Sequence, residues 1–168
     1  MTDEMRHTIY DWEGGEKVTN IPADLGGLTK FGIAQRSHPG VDIANLTFEG
    51  ACEIYVREYW APLRLDDFTS VRIRWKVWDM AVQQGPQRAA HMLQRALGFG
   101  PDAIDGVVGT KTLEAVNACT NELRLLVDIS HLQQKHYVSN VVKDHSQLTF
   151  LSGWINRSQD LGESLSQD

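Results

Sequence analysis

The stretch Asp11–Gln35, DWEGGEKVTNIPADLGGLTKFGIAQ, decides the fold. Glu13 closes a short amphipathic segment and runs at once into Gly14-Gly15; a polar loop, Pro22-Ala23-Asp24, a second glycine pair at Gly26-Gly27 and Leu28–Ile33 follow. Paired glycines permit left-handed backbone and sharp bends. Lys17–Ile21 and Leu28–Ile33 are rich in β-branched or apolar residues and read as the arms of a short hairpin. That turn-back would carry Asp24 and Thr29 towards Glu13. An acid at a helix end, facing a second carboxylate and a hydroxyl across a cleft, is the layout that glycoside hydrolysis requires.

Working outward, 168 residues suffice for one domain with a real core and no need of disulfide or metal staples. Apolar content of 42% and charged content of 23% are those of a globular protein in water. A formal charge of −6 argues against a general nucleic-acid binder, which needs a phosphate-neutralising face. The basic run Arg72-Ile73-Arg74-Trp75-Lys76 reads as the solvated side of a helix. Cys52 and Cys119 sit in apolar helical patterns without metal-ligand spacing, which predicts buried free thiols. The start, MTDEMRHTIYDW, lacks the apolar region of a signal peptide, and no stretch reaches the length of a membrane span.

Most of the remaining chain reads as helix. Asp3–Trp12 aligns Met5, Ile9 and Trp12 on one face. Thr47 is placed to cap a helix carrying Phe48, Cys52, Tyr55, Val56 and Tyr59, which ends before Pro62. Phe68–Gln84 turns Val71, Trp75, Trp78, Ala81 and Val82 inward; Gly85-Pro86 breaks it and puts proline at the first position of the next helix, to about Leu97. A loop at 98–109, a short helix at Lys111–Cys119, a long one from the Asn121 cap to about Val142, and a last one at Ser152–Leu165 complete the reading. The expected fold class is mainly α (α+β), with a small β-hairpin and two helical lobes flanking a groove.

Glu13-Gly14-Gly15 followed by Asp24-Leu25-Gly26-Gly27-Leu28-Thr29-Lys30-Phe31-Gly32-Ile33 resembles the signature of the phage and bacterial N-acetylmuramidases of glycoside hydrolase family 108. The second half resembles the peptidoglycan-binding region that accompanies it, through Asp79–Pro86, Leu93–Gly98, Asp105–Thr112 and Gly153-Trp154-Ile155-Asn156-Arg157. The opening signature and these four motifs, in the right order over residues 5–158, make the resemblance specific. There are departures: Glu16 replaces a usual tyrosine, the stretch between Gly15 and Asp24 is about two residues longer than the pattern, and Gln83 replaces a usual asparagine. The resemblance implies a lysozyme-like fold in one domain over 1–168, with a catalytic part at about 1–70 and the peptidoglycan-binding part at about 71–160. It implies cleavage of the β-1,4 bond between N-acetylmuramic acid and N-acetylglucosamine.

Glu13 is the candidate general acid. Scission needs a proton on the leaving oxygen, and a carboxyl among apolar neighbours keeps that proton nearer neutral pH; Trp12 and Ile9 are candidate neighbours. The plain alternative is a helix-end glutamate in solvent. Asp24 would position or deprotonate the water or stabilise oxocarbenium charge, and is otherwise a turn residue. Thr29 would orient the water, as the matching threonine does in similar phage-type lysozymes. A threonine-held water favours inversion. Gln83, Gln84 and Tyr55 are candidate glycan contacts, with Trp78 and Trp154 by residue type; Trp75 and Trp78 read rather as core. The reaction needs no cofactor and no metal. The expected setting is a monomeric phage endolysin with bacterial peptidoglycan as partner, without nucleic-acid binding or membrane insertion. It would stay in the host cytoplasm until a holin-type pore admits it to the cell wall. A non-catalytic peptidoglycan-binding scaffold and a lytic transglycosylase are the competing readings.

Overall fold

The computed structural model describes residues 5–6, 8–13, 15–20 and 27–161, with Asp11, Trp12 and Asn20 described by backbone alone. The chain divides into two compact units, Met1–Arg57 and Glu58–Asp168.

In the first unit Met5 and Ile9 are buried, as their spacing predicts. The backbone reaches Glu13 through a π-helical turn at Thr8–Trp12, and the Glu13 amide donates to the Thr8 carbonyl at 3.2 Å. Strands β1 (Thr19–Asn20), β2 (Leu28–Lys30) and β3 (Ile33–Ala34) form an antiparallel sheet in that order, with Thr29 paired to Thr19 on one side and Ala34 on the other. The expected hairpin is present, but its second arm stops at Lys30. Phe31 and Gly32 take φ of 52° and 74°. Positive φ at both central residues is the two-residue turn that matches strand twist, so the chain folds back into a third strand. Helix α1 (Phe48–Tyr55) begins at Thr47, whose hydroxyl accepts from the Gly50 amide at 3.1 Å. A second π-helical turn, Val56–Trp60, then shifts the helical phase, and Val56 is exposed instead of turning inward.

The second unit is built on α2 (Val71–Gln84), α3 (Pro86–Ala96), α4 (Thr110–Asn117), α5 (Glu122–Lys143) and α6 (Leu148–Gln159). Ser70 and Asn121 cap α2 and α5 by accepting from the amides of Ile73 and Arg124. Helix α2 packs on α3 and α5, and α5 on α3 and α6. Trp75 and Trp78 lie in the core, with Trp78 edge-on to Trp60 and Tyr59. Buried Ala89 and Ala90 let the α3 backbone approach its neighbours. Val71, expected inward, is exposed because it is the first residue after the Ser70 cap. Cys52 is buried and Cys119 half-buried, both free, and burial pushes the Cys52 thiol up. The last helix runs from Leu148 to Gln159 rather than from Ser152 to Leu165.

Two motifs of the second half turn out to fold around each other. Gln94, buried on α3, donates to Asp105 Oδ1 at 2.7 Å and to the Val107 carbonyl at 3.0 Å, and its oxygen accepts from the Gly106 amide at 3.0 Å. Gly106 has φ of 75°, and a Cβ there would stand 2.7 Å from His91 Nε2. The Asp105-Gly106 turn is thus held by one amide side chain.

Lys76 departs most from expectation. It is fully buried, not solvated, and its Nζ donates to the carbonyls of Ser158 at 2.6 Å and Asp160 at 3.0 Å, capping the end of α6. Burial pulls its pKa from 10.5 to about 8, against the opposing pull of Asp79 and Asp160. The folded state therefore holds this proton less tightly than the unfolded chain. The cost of burying the charge, roughly 3 kcal/mol, is fully present below pH 8 and fades as pH rises to the unfolded value near 10.5. Urea unfolding from pH 7.5 to 10.5 should thus show a stabilising slope that Lys76→Met lacks, whatever that variant does to absolute stability. Identical slopes for the two proteins would refute it.

Candidate functional site

Glu13 is half-buried at the end of the π-helical turn. The next described residue, Gly15, ties this end to the hairpin: its amide donates to the Ile9 carbonyl and its carbonyl accepts from the Phe31 amide, each at 3.0 Å. Phe31 is buried in the strained left-handed region, and three contacts hold it there. These are the Gly15 bond, an edge-on ring contact with Phe48 at 5.9 Å, and a hydrogen bond from the Tyr55 hydroxyl to its carbonyl at 2.9 Å.

Gly32 is where these parts meet. A Cβ there would lie 2.5 Å from the Tyr55 hydroxyl, 2.9 Å from Glu13 Cβ and 3.0 Å from Glu13 Oε2. The missing side chain lets the carboxylate and the hydroxyl close over one point of the turn. Gly32→Ala meets both obstacles and a positive φ together. A destabilisation of roughly 2–4 kcal/mol is expected in urea unfolding, with loss of activity. In a Tyr55→Phe background one obstacle is gone and the cost should shrink; an equal cost in both backgrounds would show that the hydroxyl does not set it.

The six candidates are placed as follows. Glu13 and Tyr55 converge on Gly32, and Tyr55 is buried at 2% exposure with its hydroxyl engaged. Thr29 is half-buried in the central strand, two residues before the Phe31-Gly32 turn, and its hydroxyl donates to the Gly27 carbonyl at 3.3 Å. Asp24 lies outside the described residues, as does the side chain of Trp12; Ile9 is fully buried. Glu16, at the position where the family pattern has tyrosine, accepts from the Tyr10 hydroxyl at 3.1 Å.

Gln83 and Gln84 belong to the second unit, at the end of α2. The Gln83 amide donates to Asp79 Oδ2 at 2.8 Å and its oxygen accepts from Tyr137 at 2.6 Å; the Gln84 amide atoms are buried. Burial raises the Tyr137 pKa, which keeps the hydroxyl a donor. Asp79, fully buried, also takes Arg157 Nε at 2.9 Å and Nη2 at 2.8 Å. Trp154 stacks on Tyr137 at 5.3 Å. The motif residues Asp79, Gln83 and Arg157 therefore form, with Tyr137, one network around the buried Asp79 that joins α2, α5 and α6. That pairing spans 78 positions, so no local spacing announces it. Among the described residues no three His, Cys, Asp or Glu side chains gather as metal ligands.

Comparison with known proteins gives two family matches. Residues 6–85 match the family described as Glycosyl hydrolase 108, and residues 88–159 the one described as Predicted Peptidoglycan domain. The solved structure of Brucella abortus SagA is similar along 98% of this chain and 94% of that chain, with 28% identity and a TM-score of 0.74. A search of curated proteins gives no match. The fold class is the expected one, lysozyme-like and mainly helical with a small antiparallel sheet. The two matched stretches meet at the Gly85-Pro86 break, whereas packing divides the chain between Arg57 and Glu58. Helix α2 thus goes with the first stretch by sequence and with the second unit by packing.

Proposed function

We propose that this peptidoglycan hydrolase, whose residues 6–85 belong to the glycosyl hydrolase 108 family and residues 88–159 to a predicted peptidoglycan domain, is an N-acetylmuramidase. It cuts the β-1,4 bond between N-acetylmuramic acid and N-acetylglucosamine. The supporting observation is the carboxylate of Glu13 resting on the bare backbone of Gly32, beside a Tyr55 hydroxyl fixed to the Phe31 carbonyl.

In this reading Glu13 enters the reaction protonated and gives its proton to the bridging oxygen as the bond to the anomeric carbon breaks. Water, oriented by the Thr29 hydroxyl, gives a proton to the Asp24 carboxylate as its oxygen adds to that carbon from the opposite face, and the configuration inverts. Tyr55 acts through the Phe31-Gly32 turn as a positioning residue. The biological setting is host lysis by a monomeric phage endolysin that reaches the wall through a holin-type pore. Support for that setting is the resemblance of the sequence motifs.

Digestion of purified peptidoglycan with product analysis by mass spectrometry tests the reaction. New reducing N-acetylmuramic acid ends are expected. Anhydro-muramic ends would make the protein a lytic transglycosylase, reducing N-acetylglucosamine ends would assign the other bond, and an intact polymer would leave a binding protein.

A further inference from the structure

The second unit carries a trough between α3 and α5 whose charge runs against that of the whole chain. Its main part is a cavity of about 390 Å³ lined by Arg88, His91, Arg95, Lys135 and His136 over apolar Met92 and Leu132. A second cavity of about 370 Å³ shares His91 and Arg95 and continues onto Phe99, Pro101 and Ile104. No carboxylate lines either one. In a chain of net charge −6, α3 (PQRAAHMLQRA) contains no acid, nor does the facing stretch of α5, Leu132–Ser139.

Three of the lining groups are lysine or arginine side chains. Among the described residues, Arg88, Arg95 and Lys135 form no ion pair with a carboxylate. Asp105, on the neighbouring loop, is occupied by Gln94 and the Val107 amide. Arg88 Nη1 stands 2.8 Å from His136 Nε2. A guanidinium only donates, so the imidazole accepts and must be neutral; burial, Arg88 and Lys143 all push its pKa down in agreement. A neutral imidazole orients the Arg88 fork without cancelling its charge. The result is a concave surface lined by cationic donors that no carboxylate among the described residues neutralises, with apolar patches between and beyond them.

That combination suits a short peptide bearing free carboxylates and methyl side chains. Guanidinium forks take carboxylates in charge-assisted pairs, and the Phe99–Ile104 end offers contact to small apolar groups. A plain polyphosphate would have no use for the apolar part. We propose that this trough holds the peptide stems of peptidoglycan by their free carboxylates, an inference that rests on the wall-substrate reading above.

The test is calorimetric titration of the full chain with the stem tripeptide L-Ala-γ-D-Glu-L-Lys, with its diamide, and with polyglycerol phosphate. Saturable tripeptide binding is expected. It should weaken about ten-fold or more in the Arg88→Gln/Lys135→Gln double variant, a loss on the scale of one charge-assisted contact, while circular dichroism stays native. The diamide should bind weakly, and added salt should weaken the tripeptide. Absence of saturable binding, equal affinity for the diamide, or an unchanged affinity in the double variant would overturn the proposal. Tighter binding of polyglycerol phosphate than of the tripeptide would overturn it too and give the trough to phosphate polymers. Binding needs no turnover, so a protein that binds the tripeptide but cuts nothing would sink the muramidase reading alone.

Discussion

Glu13→Gln should abolish the clearing of peptidoglycan suspensions, by roughly a thousand-fold in rate, while the melting temperature stays within a degree or two of the parent. The side chains have the same shape, and the amide oxygen can still rest against Gly32, whose missing Cβ makes the approach possible. What the proposed mechanism loses is the proton that the leaving oxygen requires. A glutamate serving only the fold would give the opposite pattern, a shifted melting curve with activity retained. Turbidity assays and calorimetry on one preparation separate the two.

Asp79→Ala should be the most destabilising substitution in the second unit, by roughly 3–5 kcal/mol. Asp79 is fully buried and receives Arg157 at 2.9 and 2.8 Å and the Gln83 amide at 2.8 Å. Truncation removes the carboxylate from beside the buried Arg157 guanidinium, and α6 loses one of its ties to α2, the bonds from Lys76 remaining. The attraction itself is not what makes the loss large, since burying two charges already costs several kcal/mol. Asp79→Leu combined with Arg157→Met should therefore recover much of the loss, with no charge left stranded. Urea unfolding of the single and double variants measures this. A double variant no more stable than Asp79→Ala would mean that the pair contributes through its own bonding.

Much of the architecture was legible because it is encoded locally. Thr47 and Asn121 act as caps, Gly85-Pro86 separates α2 from α3, and the tryptophan spacing identifies the core. The hairpin arms were legible too. The turn between β2 and β3 was not, because a phenylalanine at positive φ carries none of the usual Asn-Gly signal. Neither were the π-helical turns: one extra residue in a helical repeat leaves the apolar pattern nearly unchanged while turning Val56 outward.

For the site, Glu13 stands out as a candidate acid from its place before the glycine pair, but the side chains packed around it do not. Tyr55 reads as an aromatic on a helix face, and only the folded chain brings its hydroxyl to Gly32 from 23 positions away in sequence. Lys76 was misread for a related reason. A cation inside a basic run looks solvated until the carbonyls of Ser158 and Asp160 arrive from the far end of the chain.

The most direct test of Glu13 as the proposed proton donor compares two substrates of Glu13→Gln. Aryl glycosides whose phenolate leaves without protonation bypass the acid, whereas the wall polymer cannot. The account predicts that the variant keeps most of the parental rate on a 2,4-dinitrophenyl muramoyl oligosaccharide and loses roughly a thousand-fold on peptidoglycan. Equal losses on both substrates, or full activity on the polymer, would contradict it.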